Sequence, residues 1–117
     1  MGVVPRILVQ EAPFDLGAET AALYAGREDV GGLASFLGIC RGDGGLGAMV
    51  LEHYPGMTER ALEKIALEAC ARWPLTACTV IHRYGRLVPG DPIVLVLTAS
   101  AHLSLIHISE PTRQAEI

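Results

Sequence analysis

The run Ile93-Val-Leu-Val-Leu-Thr-Ala-Ser-Ala101 carries no charge over nine positions. It is far too short to cross a bilayer, which takes about 20 apolar residues in a helix. Its β-branched and aliphatic content reads as a strand covered on both faces. Immediately upstream, Pro89-Gly90-Asp91 spells a turn. Before that, residues 77–84 form a second strand, with Cys78, Val80, His82 and Tyr84 on one face and Thr79, Ile81 and Arg83 on the other. Further upstream the period changes to that of a helix from Thr58 to Trp73. Leu62, Ile65, Ala66, Ala69, Cys70 and Trp73 make one apolar stripe. Thr58 is an acceptable N-cap, Glu59 suits the positive first turn, and Pro74 ends the helix.

The amino-terminal half is more punctuated. Arg6–Gln10 reads as a short strand ended by Pro13, and residues 17–25 as a short helix. Residues 33–40, LASFLGIC, read as a strand whose internal Gly38 suggests a bulge or a close backbone approach. The next seven residues, RGDGGLG, contain four glycines and cannot hold a regular element. Residues 48–54 return to a strand pattern. Helices and strands mixed without strict βαβ alternation predict an α+β domain spanning residues 1–102.

With 117 residues and a net charge of −4, the chain has no basic stripe to neutralise phosphates, which argues against nucleic acid. No apolar run is long enough for a membrane helix, and MGVVPRILVQ lacks the basic start and long apolar core of a signal peptide. A cytoplasmic protein is the expectation. Cys40, Cys70 and Cys78 form no CxxC pair; an odd set without a leader reads as reduced thiols packed as small hydrophobes, with no metal site.

Few residues could carry chemistry. Arg41 opens the glycine-rich loop, where a guanidinium and exposed backbone N–H groups could hold a phosphate. The loop is not a P-loop, since no Gly-Lys-Ser/Thr follows. His102 closes the apolar strand, where an imidazole can exchange a proton at a pocket mouth. His53 and His82 read as partly buried structural residues. Phe36 could line a pocket beside Arg41, although a strand aromatic is ordinarily core. Glu52 and His53 fall on opposite faces of a strand and make no dyad.

Six stretches in register resemble a known family. They are Phe36-Leu37-Gly38-Ile39-Cys40-Arg41, Leu51-Glu52-His53-Tyr54, Arg72-Trp73-Pro74, Val80-Ile81-His82-Arg83-Tyr84-Gly85-Arg86-Leu87, Pro89-Gly90-Asp91 and Ser100-Ala101-His102. Together they resemble the large, catalytic subunit of molybdopterin synthase over nearly all of residues 1–102. That resemblance implies an α/β-hammerhead type of fold with a mixed, largely antiparallel sheet. It implies sulfur transfer in molybdenum cofactor biosynthesis, converting cyclic pyranopterin monophosphate to molybdopterin with no bound prosthetic group. It also implies a homodimer with a small ubiquitin-like sulfur carrier at each end, whose C-terminal Gly-Gly thiocarboxylate supplies the sulfur. By motif, Arg41 with the backbone of Ile39 and Cys40, together with His102, would bind the substrate's anionic groups in one pocket.

Four departures accompany the likeness. Ile39 stands where the family has a lysine, and Leu103 where it has an arginine. Lys64, the sole lysine, falls on the polar face of a helix, so no catalytic lysine can be assigned. Residues 103–117, LSLIHISEPTRQAEI, lose the family pattern. One back-translation of residues 103–113 reads as a transposase-type sequencing adapter, so this tail is expected to be non-native and the chain without sulfur-transfer activity of its own. The alternatives are a non-catalytic scaffold or partner-binding module, which would capture the sulfur carrier without turnover, and a metal-binding regulator, which would carry stoichiometric zinc.

Overall fold

The computed structural model describes residues 4–42 and 48–102. The glycine-rich loop beyond Gly42 and the tail after His102 therefore lie outside the described residues. In chain order the elements are β1 (Arg6–Gln10), α1 (Leu16–Tyr24), β2 (Gly32–Ile39), β3 (Met49–Leu51), α2 (Met57–Arg72), β4 (Leu75–Arg83), β5 (Gly85–Leu87) and β6 (Pro92–Ser100). Four strands form one sheet in the order β1-β4-β6-β2, and β3 pairs with β5 in a small second sheet. β1 runs parallel to β4; the β4–β6, β2–β6 and β3–β5 pairs are antiparallel. The α+β expectation holds.

The charge-free run becomes β6, paired along both edges. Its Leu95, Leu97 and Ala99 are fully buried with Ile81, Ala77 and Leu23, and Leu8, Phe14, Val30, Leu33 and Leu37 pack around them. Each large aliphatic side chain buried in this way stabilises the fold by roughly 1.5–3 kcal/mol. Helix α1 closes this face. Asp15 caps it, its Oδ2 accepting from the Ala18 N–H at 2.7 Å, and Arg6 of β1 ties to Glu19 at 2.7 Å.

The opposite face is closed only in part. Ala66, with Leu62 and Cys70, packs on Cys78 and Val80, flanked by Ile7 and Val96. One helix about 10 Å wide covers two strands spaced near 4.8 Å, not four. Helix α2 lies over β1 and β4, so the β6–β2 half stays open: Phe36 is 62% exposed and Val94 and Val96 are only half-buried. The expectation that β6 is covered on both faces is met on one side at Leu95, Leu97 and Ala99, and on the other at Thr98 and Ser100 but not at Val94 and Val96.

Other expectations shift at element ends. The N-cap of α2 is Gly56, at φ 85, and not Thr58. Pro55 forces the chain to turn first, so the Met57 and Thr58 N–H groups both donate to the Tyr54 carbonyl. This turn also shortens the strand expected over 48–54 to Met49–Leu51. Ile65 does not join the buried stripe and is 65% exposed; the helix is phased on Leu62, Ala66 and Cys70, leaving Ile65 at the margin. The short strand β5 was not anticipated. Gly85, at φ 94, breaks the path from β4 and redirects the chain to pair with β3.

Leu97→Ala is expected to cost about 3 kcal/mol, as large-to-small changes in cores do. Ile65→Ala is expected to stay within about 0.5 kcal/mol, as at exposed sites. Urea denaturation of both variants checks the phase assigned to α2.

Candidate functional site

Arg41 leaves the sheet at the end of β2, and its position is set by the residue before it. Cys40 is 2% exposed. Its N–H donates to the Asp91 carbonyl at 2.8 Å, and its own carbonyl accepts from the Gly90 N–H at 2.8 Å. The turn that receives it is itself closed, since the Asp91 N–H donates to the Val88 carbonyl at 2.9 Å and Asp91 Oδ2 accepts from the Val88 N–H at 2.9 Å. Gly42 follows so closely that a Cβ there would sit 3.2 Å from Pro89 Cβ. The exposed Arg41 therefore emerges at a rigid junction of two backbone segments that are far apart in sequence.

Around it, Ile39 is 52% exposed and offers an apolar wall. Phe36 faces the same side of the sheet as Gly38, opposite Val96 and Val94 respectively. Its Cε2 comes within 3.7 Å of where a Gly38 Cβ would lie, so the ring leans toward the Arg41 end. Cys40 has a different role from the one expected. Its thiol is buried and its N–H is committed to Asp91, so it positions Arg41 and does not reach a ligand through that N–H.

His102 is elsewhere. Gly32 pairs with Ser100 at one end of the β2–β6 ladder, and Ile39 with Pro92 at the other. Arg41 lies past the second end and His102 past the first. Strands of this length separate the two by roughly 23 Å at 3.3 Å per residue. The expectation that the two residues share one pocket is not met within the chain. Antiparallel pairing is the reason: both residues follow the C-terminal end of a strand, and in an antiparallel pair those ends point in opposite directions. His102 is exposed, and its carbonyl accepts from Ser100 Oγ at 2.8 Å. The Gly31 N–H donates to the Ser100 carbonyl at 2.8 Å, and a Cβ on Gly31 would fall 2.1 Å from the Ala101 carbonyl oxygen.

His53 and His82 make structural contacts, as expected. His82 Nδ1 lies 2.8 Å from the Arg83 carbonyl and donates to it. His53 stacks on Tyr84, with ring centroids 4.4 Å apart, and its Nε2 donates to Glu59 Oε2 at 3.1 Å. Sequence reasoning missed this pair because it judged His53 only against its neighbour Glu52. A findable signal was present, since Glu59 stands three residues after Gly56 and its Oε1 accepts the Gly56 N–H at 2.8 Å. Its own backbone N–H, then the Gly56 N–H and His53, hold the Glu59 carboxyl below the usual range.

A carboxyl whose folded value is depressed stabilises the protein above its ordinary value of 4.5, and that stability is lost as pH falls through the folded value. Glu59→Gln is therefore expected to lower Tm at neutral pH and to flatten its fall below pH 4.5. A melting series across pH checks this, and an acid limb identical to that of the parent chain would remove Glu59 from the explanation.

The geometry can be set beside known proteins. A family model described as MoaE protein matches residues 9–104. The molybdopterin synthase catalytic subunit of Mesorhizobium japonicum is 54% identical over 101 residues, covering 86% of this chain and 64% of that protein. The subunit of the same name from Ralstonia nicotianae is 58% identical over 102 residues, covering 85% of this chain and 58% of its own length. The solved molybdopterin biosynthesis MoaE protein from Burkholderia ambifaria aligns with a TM-score of 0.81 at 49% identity, over 90% of this chain and 70% of that one. The chain thus spans about three fifths of the length of these two curated relatives. On the family match and on the shared fold, the chain belongs to the MoaE family.

Proposed function

We propose that this chain is the substrate-anchoring part of a molybdopterin synthase catalytic subunit. In this reading, the Arg41 guanidinium holds the phosphate of cyclic pyranopterin monophosphate. Sulfur comes from the C-terminal Gly-Gly thiocarboxylate of a small ubiquitin-like partner. The observation that carries the reading is Arg41 itself, held at the locked junction of Cys40 with the Val88–Asp91 turn in a chain of this family. A planar, permanently charged guanidinium suits a phosphate better than an ammonium does, and Phe36 and Ile39 give the pterin an apolar wall.

His102 enters the same site across two chains. β2, GLASFLGI, is an edge strand without a charged residue, and such an edge is a template for pairing with another strand. Antiparallel pairing with a second copy about an axis between Ser35 and Phe36 sets Ile39 opposite the partner's Gly32. Arg41 then comes to the end of the sheet where the partner's Gly31 and His102 lie. The separation of roughly 23 Å within one chain is compatible with a shared pocket only in such a dimer. Lys64 does not contribute an amine there, since it lies exposed on α2.

Arg41→Ala is expected to weaken binding of cyclic pyranopterin monophosphate at least tenfold, about 1.4 kcal/mol, by calorimetry. Unaltered affinity in the variant ends the anchoring role. Phe36→Lys places two cations near the axis and is expected to convert dimer to monomer in sedimentation velocity. A parent chain that sediments as a monomer overturns the shared site.

A further inference from the structure

Two thiols with no part in that chemistry meet beneath α2. Cys70, on the inward side of the helix, packs into the cluster that contains Cys78 of β4. Neither is in a disulfide. Cys78 is 5% exposed, whereas Cys70 is half-buried, so a small reagent has one way in, through Cys70. The third thiol, Cys40, is buried at the β2 terminus in contact with neither cluster partner. The pairing is thus selective by position: a helix residue open to solvent stands against a strand residue that is not.

We propose that Cys70 and Cys78 are a redox dithiol, which a hydroperoxide oxidises to an intramolecular disulfide that fastens α2 to β4. In the first step the Cys70 sulfur attacks the terminal peroxide oxygen. The O–O bond breaks, leaving a sulfenic acid on Cys70 and releasing water or an alcohol. In the second, the Cys78 sulfur attacks the Cys70 sulfur, the S–O bond breaks, and water leaves as the S–S bond forms. The two thiols lose two electrons and two protons, and the peroxide takes up both. Burial pushes the Cys70 thiol up and the Cys78 thiol up to about 12, so little thiolate is present at neutral pH and the oxidation is slow.

The test is oxidation of the full chain with excess hydrogen peroxide, followed by alkylation of remaining thiols after unfolding, intact mass and non-reducing peptide mapping. Titratable thiols should fall from the three cysteines of the sequence to one, with loss of two hydrogens in mass, a Cys70–Cys78 cross-link and full reversal by dithiothreitol. Cys40→Ser should leave none titratable. Cys70→Ser, at the partly exposed position and so independent of whether Cys78→Ser folds, should abolish the cross-link. Three surviving thiols, a link through Cys40, or mass gained as oxygen in place of hydrogen lost would each overturn the proposal.

Discussion

Everything in this molecule is arranged around β6 having neighbours on both edges and a buried aliphatic row on one face. Leu95, Leu97 and Ala99 are shielded completely, and their strand is paired with β4 on one side and β2 on the other. A one-residue slip would turn that row toward the open side of the sheet, so the register is strongly held. The same register sends the ends of β2 and β6 in opposite directions. It is the core, not any residue of the site, that separates Arg41 from His102 and makes a second chain necessary if the two are to act together.

Much of this was legible before any coordinates. β1 was bounded correctly, α1, α2 and β2 were placed to within a residue, and β4 and β6 to within two, because period and punctuation agree there. The alternation of Cys78 and Val80 against Ile81 assigned each strand face correctly, and Cys70 was read as inward on α2. What failed has a common cause. Ile65, the second face of β6 and the partnership of Arg41 with His102 all depend on how elements lie across one another, and no local pattern encodes that. The length of β3 was lost to Pro55, whose effect on Tyr54 is local and could have been weighed. The His53–Glu59 pair was also visible in principle, as a glutamate in the first turn of a helix that begins at a glycine.

The two faces of the sheet differ in how they could evolve a site. The α1 side is filled by Leu23, Phe14, Val30 and the aliphatic rows of β4 and β6. The α2 side carries a helix over half its width and leaves Phe36, Val94 and Val96 partly open. The rigid Cys40–Asp91 junction stands at the edge of that open half. An arginine placed there has packed backbone behind it and apolar surface beside it, which is what the proposed anchoring role asks of its surroundings.

The arginines show a further division of labour. Arg27 grips Asp29 and donates to the Thr76 carbonyl at the start of β4. Arg83, at the other end of β4, donates to the Glu11 carbonyl through two nitrogens and to the Pro92 carbonyl through a third. Both termini of the central parallel–antiparallel junction are therefore riveted by guanidinium groups acting on backbone oxygens. Positive charge in this chain is in large part masonry. A count of basic residues overstates its appetite for anions, and an arginine-to-lysine exchange at position 83 would loosen the strand ends.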